Sequence, residues 1–570
     1  MSTMTDETIE MKSTNVPVAH GTELLAEVTA QRRHDLDALR AVAMLLGIVL
    51  HAALAFAPIP WTVSDASQSV VYLVLFSAIH GFRMPLFFLI SGFFTAMLWR
   101  KRGLGGLIQQ RLKRILVPLI IGCMTIVPAM WAVSILASQP SGPSKPTEIF
   151  DATAAGKTDF VRQAIESNTI SIDAKHPASG SSLLTIATFY GQTETVEMLL
   201  NKGADVNQKN ADAGTALHVA VFMGRAESAK RLLAAGANRE AKDVNGNTPI
   251  DNLTVDFGTT DFIAKMYSVT LDKEELTQGR TEIAKLLGEN ESAAGNAVTA
   301  GPGIGALYGL FFQFPVFMHL WFLAFLCWLV IAFAAYTLMA RRIPFSGLPK
   351  WLFCSPISLV WLVPLTMLPL SFMPAEGFGP ATSVGLLPIP SVLAFYGIFF
   401  FFGVIYWDLD DQPGMLGRWW YITLPVALFI VFPLGLEIVS GTFGILPEEM
   451  AEPTKLWMGY GIQALFVWLM IFGSIGAFRA LLWRESKTMR YISDSSYWLY
   501  LAHLPLVILA QWFVKDLPVP SFIKFIGIIL VVSAVLLLTY DWFIRYTFIG
   551  TILNGPKRRQ SKSLAVEPTS

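Results

Sequence analysis

Long apolar runs recur throughout this 570-residue chain, and they constrain its fold more than any other feature. About ten of them are long enough to cross ~30 Å of hydrocarbon as helices, which takes about 20 residues each. They lie near 38–58, 70–98, 114–137, 316–340, 351–371, 387–406, 419–440, 457–480, 496–514 and 521–546. A backbone in lipid must satisfy its own hydrogen bonds, and runs of this length do so as helices. Composition agrees, with 53% hydrophobic and 15% charged residues, against roughly 25% charged in soluble chains. The expectation is an all-α, polytopic bundle in a lipid bilayer. Lys+Arg and Asp+Glu balance at 42 each, which argues against a nucleic-acid partner held by bulk positive charge. Cys123, Cys327 and Cys354 all lie in apolar runs and read as core residues, not as a disulfide or zinc framework. No metal site is expected. The ends, 1–30 and 551–570, read as disordered tails, and the first thirty residues carry no apolar signal core.

Charge is spread unevenly, and this marks a second unit. Residues 144–300 hold 21 Asp/Glu and 15 Lys/Arg, so a segment with net charge −6 sits inside an apolar chain. Its flanks, Ser138 to Pro143 and Gly295 to Gly305, have the Pro/Gly/Ser character of linkers. Within it, Gly191 and Gly224 are 33 apart, as are Gly203 and Gly236, and Leu184, Leu217 and Ile250 repeat at the same interval. That period, with Leu199-Leu200-Asn201-Lys202-Gly203 answered by Leu232-Leu233-Ala234-Ala235-Gly236, resembles the ankyrin repeat, an α-helical solenoid. The unit is expected over 144–290, with 144–178 a degenerate first repeat and 259–288 a C-terminal cap. His218 is expected to bond backbone at a repeat turn. Such a stack offers a concave surface to a protein or glycan partner; the plainer reading is a spacer.

Basic residues set the orientation. Arg32 and Arg33 precede the first span; Arg100 to Arg114, Arg341, Arg342, Lys350, Arg479 to Arg490 and Lys557 to Arg559 fill alternate connections. The short connections on the other side hold only Lys455 and Lys515. The positive-inside rule then puts both termini in the cytoplasm and the inserted unit on the outer or periplasmic side of a plasma or inner membrane.

Ionisable groups within spans are costly, about 3 kcal/mol on insertion scales, so each one suggests a function. His51, His80, His319 and His503 fall in or beside spans, and Arg83 lies deep in the second. Arg40 and His51 are eleven residues apart, about 16 Å and three turns along one helix face. His80 and Arg83 also share a face. An imidazole can take a hydroxyl proton near neutral pH, and guanidinium groups can hold phosphates or an oxyanion. The plainer reading of each histidine is a packed, hydrogen-bonded core residue. Glu437 and Asp541 are expected only to pair with buried cations.

Five blocks keep family order and spacing: Leu36-Asp37-Ala38-Leu39-Arg40 through His51, Phe82 to Phe93, Arg111 to Pro118, His319 to Leu323 and Ser496 to Pro505. Over roughly 31–137 and 315–550 the chain resembles the acyltransferase-3 family of integral-membrane acyltransferases. The resemblance implies transfer of an acyl group, succinyl or acetyl, from acyl-CoA to a carbohydrate hydroxyl on an envelope or periplasmic glycan. It implies His51 as catalytic base, Arg40 as its motif partner and Arg83 as charge stabiliser. Arg111, Lys113 and Arg114 would meet donor phosphates, and His80, His319, Tyr497, Tyr500 and His503 would line the substrate site. Acyl-CoA is then a substrate, and no bound cofactor is expected. Ser91-Gly92 reads as a close helix contact. Two other classes stay open at this point: a transporter or flippase using the buried His/Arg groups, and an ankyrin-based membrane sensor.

Overall fold

The computed structural model describes residues 33–555 apart from internal stretches, the longest being 139–144, 289–310, 341–348 and 446–451. The expected tail 1–30, nearly all of the two linkers, and Arg32, Arg341, Arg342, Lys557, Arg558 and Arg559 lie outside the described residues. Among the described residues the chain is helical, and extended pairing is limited to an isolated bridge, Lys175 with Ser182.

The membrane part begins with α1 (His34–Ala53), α2 (Val70–Arg111) and α3 (Val117–Ser138). The Ser69 side chain caps α2 by accepting the Val71 N–H. The basic connection expected after the second span is helical instead: α2 runs on to Arg111, and a five-residue π-turn, Leu112–Leu116, leads into α3. The change of direction is made at Gly103, at φ 69°, a left-handed value that glycine adopts at little cost.

After the inserted unit come α12 (Trp321–Ala340), α13 (Lys350–Cys354), α14 (Ser358–Leu370), α15 (Pro390–Asp408), α16 (Trp420–Val426) and α17 (Phe432–Ser440). The last are α18 (Glu452–Leu481), α19 (Lys487–Val514), α20 (Ser521–Thr539) and α21 (Phe548–Asn554). Eight helical segments among the described residues are long and apolar enough to cross a membrane, and one of them, Val70–Ala137, has 68 residues, enough for two crossings. The span expected near 351–371 is the exception. It is split at Ser355-Pro356, and its longer piece, α14, has 13 residues with Pro364 and Pro369 inside. Proline removes ladder donors, so this segment is short and irregular.

Small residues let the helices approach closely. A side chain at Gly92 would strike the Phe400 carbonyl, and one at Gly403 the Leu89 carbonyl, which seats α2 against α15. This bears out the packing reading of Ser91-Gly92. Around that contact Phe88, Phe325, Tyr396 and Phe400 are fully buried. Glu437 is buried at the end of α17, where its carboxylate accepts the backbone N–H groups of Phe443 (2.7 Å) and Ile445. Asp541 does pair with a cation, Arg545, at 2.7 Å.

The inserted unit stacks helix pairs: α4 (Lys145–Ala154) with α5 (Thr158–Glu166), α6 (Leu183–Phe189) with α7 (Thr193–Asn201), and α8 (Ala216–Phe222) with α9 (Ala226–Ala234). Gly156, Gly191 and Gly224 stand at φ 64–71° in the turns between paired helices, which explains the 33-residue interval of Gly191 and Gly224; the first repeat is two residues longer. Next come α10 (Phe257–Met266) and α11 (Lys273–Leu287). Arg280 of α11 is fully buried and donates to the carbonyls of Val221 (3.3 Å), Phe222 and Val255, so it closes the end of the α8 helix. His218 bonds backbone as expected. Its Nδ1 accepts the Thr215 N–H at 3.1 Å and its Nε2 donates to the Asn247 carbonyl at 3.1 Å.

Candidate active site

One face of α1 organises the site. Arg40, Met44, Gly47 and His51 follow at spacings of four, three and four residues, which align on a helix. At the Arg40 end lies a cavity of about 690 Å³. Its walls carry Arg33, Arg40, Lys101, Arg111, Arg114 and Arg490 against two carboxylates, Asp37 and Asp494. Further in they turn apolar, with Met44, Phe87, Ile90, Phe322 and Leu323.

Several of these cations are fixed in place. Arg40 Nη2 donates to Ser493 Oγ at 3.0 Å and lies 3.6 Å from Asp37. Arg111 Nη2 donates to Thr95 Oγ1 at 2.6 Å, and Thr95 in turn donates to the Ser91 carbonyl at 2.7 Å. The π-turn at 112–116 rotates the chain so that Arg111 and Arg114 both reach the wall. Lys113 does not. It is exposed and is not among the residues that line the cavity. Tyr497 lines the cavity and donates to the Arg114 carbonyl.

Beyond the apolar end, Arg83 lies across the bare Cα of Gly47. A β-carbon there would collide with Arg83 Nη1 and stand 4.0 Å from His503 Nε2. Three imidazoles gather at this level. The His51 and His503 ring centres are 5.2 Å apart, and those of His503 and His319 are 5.7 Å apart. Backbone carbonyls anchor two of them. His319 Nε2 bonds the Leu501 carbonyl at 3.0 Å, and His503 Nδ1 bonds those of Tyr500 (2.8 Å) and Leu499 (3.1 Å). The Leu501 carbonyl is available because Pro505, four residues on, has no N–H to give it. Tyr500 closes the group by donating to the His319 carbonyl at 2.7 Å. Among the other ring nitrogens, His51 Nδ1, His319 Nδ1 and His503 Nε2 are buried without a hydrogen-bond partner. So is Arg83 Nε, and no carboxylate pairs with Arg83 among the described residues.

Trp61 stacks over His51, ring centres 6.1 Å apart and planes 23° from parallel. Gln511 ties both down: it accepts from the Trp61 indole at 3.0 Å and donates to the His51 carbonyl at 2.8 Å and the Ala52 carbonyl at 3.3 Å. The same loop is pinned by a buried ion pair, Asp65 with Lys524 at 2.7 Å. His80 is engaged elsewhere, with Nε2 3.0 Å from the Pro380 carbonyl and the ring stacked on Phe76. It is not brought into the ring group formed by His51, His503 and His319. Sequence reasoning did not assign Arg33, Arg490, Ser493, Trp61 or Gln511 to the site, and Arg33 and Arg490 entered it only as orienting charges. Arg490 and Ser493 stand just before the Ser496–Pro505 block, and that proximity was the available signal.

The repeat unit has its own groove, of about 520 Å³, with Asp151, Asp212, Asp243, Tyr190 and Tyr267 among its lining residues and no Lys or Arg. Burial pushes the His176 and His218 imidazoles below their ordinary pKa there.

Comparison with known proteins finds two families in the chain. A family described as Acyltransferase domain matches residues 33–143 and 281–540, and one described as Ankyrin repeats (3 copies) matches 149–245. The chain is 43% identical over 94 residues to Glucans biosynthesis protein C of Escherichia coli (strain SMS-3-5 / SECEC). It is 42% identical over 94 residues to the proteins of that name in strain K12 and in Escherichia coli O1:K1 / APEC. Each alignment takes in 16% of this chain and 24% of the relative, so the chain spans about a quarter of the length of these curated relatives. The acyltransferase match covers well over half of the sequence: the protein belongs to this acyltransferase family, is a multi-pass membrane protein and carries ankyrin repeats.

Proposed function

We propose that the protein moves an acyl group, succinyl or acetyl, from acyl-CoA to a hydroxyl of an envelope glycan. The observation that carries this reading is the single face of α1 leading from a basic cavity at Arg40 to the histidine group at His51. Six basic side chains against two acidic ones suit the phosphates of a CoA thioester, and the apolar inner wall suits its acyl end. In this reading the cavity and both termini face the cytoplasm, in a plasma or inner membrane. The acceptor reaches His51 from the opposite side, where the repeat module also lies and offers its groove to a protein or glycan.

The chemistry follows from the residues. His51 accepts the proton of the attacking hydroxyl while its oxygen bonds the thioester carbon. Arg83, a guanidinium with no carboxylate partner among the described residues, meets the oxyanion that forms. The C–S bond then breaks, the thiolate leaves with the electron pair, and the proton taken from the hydroxyl ends on sulfur. The relatives' name, Glucans biosynthesis protein C, supports a glucan as the acceptor class. Mass spectrometry of envelope glycans from cells with and without the protein is the test. We expect ester-bearing glycans only with the wild type, and His51→Gln at equal membrane abundance should lower ester formation at least ~10³-fold. Unchanged esters in that variant would remove His51 from the mechanism.

A further inference from the structure

The acyl transfer proposed above needs a proton delivered to sulfur, and the carrier can be read from the hydrogen bonds of the histidine group. His503 bonds two backbone carbonyls through Nδ1, Tyr500 at 2.8 Å and Leu499 at 3.1 Å. A carbonyl only accepts, so the ring must carry its hydrogen on Nδ1. Its Nε2 is then a bare lone pair, buried and unpartnered. That lone pair lies 4.0 Å from the β-carbon position of Gly47, the notch across which Arg83 rests. It therefore borders the place where the oxyanion would form. His51 approaches from one side at 5.2 Å between ring centres. The same two carbonyls that fix the tautomer would stabilise the ring once Nε2 gains a proton, because both point at the Nδ1–H. A thiolate expelled into so enclosed a site is costly unless it is neutralised as it leaves.

We propose that His503 is a second catalytic residue, a proton carrier between His51 and the departing sulfur. This rests on the acyl-transfer reading above. The hydroxyl hydrogen passes to His51 as the O–C bond forms, and from His51 to His503 Nε2. It then passes to sulfur as the C–S bond breaks and the sulfur keeps the bonding pair. Both rings end neutral, and the products are the ester and a free thiol. His319, whose Nδ1 is likewise bare, stands 5.7 Å behind His503 and holds it from the far side.

The test changes the leaving group. Full-length protein in lipid nanodiscs is assayed with a glucose oligomer as acceptor and two donors carrying the same acyl group. One is the acyl-CoA, and the other is an aryl thioester whose much less basic thiolate leaves without a proton. His503→Gln should slow transfer from acyl-CoA about 10²-fold and run within about tenfold of wild type on the aryl thioester. His51→Gln should be slow with both. Equal slowing of His503→Gln on the two donors would overturn the carrier role and leave a packing residue. If His51→Gln matched wild type on both donors, the acyl-transfer reading of this site would fall first. Should His503→Gln not fold, the wild type still decides: a solvent deuterium effect clearly larger on acyl-CoA turnover than on the aryl thioester, where only the proton transfer to His51 contributes, supports the carrier. The same effect on both donors overturns it.

Discussion

Gly47 is a residue whose lack of a side chain has a visible use. Replacing glycine by alanine within a helix normally stabilises it by roughly 0.5–1 kcal/mol. Here the new methyl would take the place of Arg83 Nη1, the mobile end of a long side chain. Gly47→Ala should therefore fold and insert normally yet lose about 10²-fold in turnover, the order expected when one oxyanion donor is displaced. Steady-state kinetics beside a thermal melt in detergent would check this; full activity would show that Arg83 does not need the notch. His218 is a contrasting case outside the membrane. Its Nδ1 accepts a backbone N–H and burial lowers its pKa, so the folded repeat prefers the neutral ring. The unfolded chain binds that proton more readily near pH 6.5, so the stability His218 adds is complete above that value and is lost as pH falls through the lower, folded pKa. Limited proteolysis of the full-length protein between α6 and α9 should show cleavage rising between pH 7.5 and pH 5. His218→Asn should flatten that dependence.

At the level of elements, the loop after α1 is fastened over the histidine group by groups that lie far apart in sequence. Asp65 and Lys524 form an ion pair with side chains 1% and 4% exposed, and Lys524 also donates to the Lys515 carbonyl. Removing one partner leaves a buried charge without compensation, which costs about 3–5 kcal/mol, whereas removing both is often close to neutral. Asp65→Asn should lower the thermal midpoint markedly, and Asp65→Asn with Lys524→Met should recover most of the loss; a single variant as stable as wild type would show the pair to be dispensable. Such fastenings are also where sequence reading stopped. Apolar length revealed most of the spans, and a 33-residue glycine interval revealed the repeats, because each is a local pattern. His51, Arg40 and Arg83 stood out because charge is costly in lipid. Trp61 and Gln511 carry no such penalty, and their pairing joins residues 450 apart. The exposure of Lys113 depends on a π-turn, and the split of α13 from α14 on a proline, neither of which hydrophobic periodicity registers.

Across the whole molecule, chemistry and repeats occupy separate stretches of one chain. The acyltransferase match takes up again at residue 281, within α11, and includes His51, His319 and His503, so the repeats matched over 149–245 extend the protein without supplying any member of the histidine group. Within the membrane part, the straight course of α1 carries a further implication. It works as a ruler: eleven residues separate Arg40 from His51, about 16 Å of rigid rod. A donor gripped by its nucleotide end can place cargo at the far mark only if its flexible tether matches that distance. Selection by this ruler would act on the handle, so a thioester with a clipped tether would be rejected even when its cargo is right.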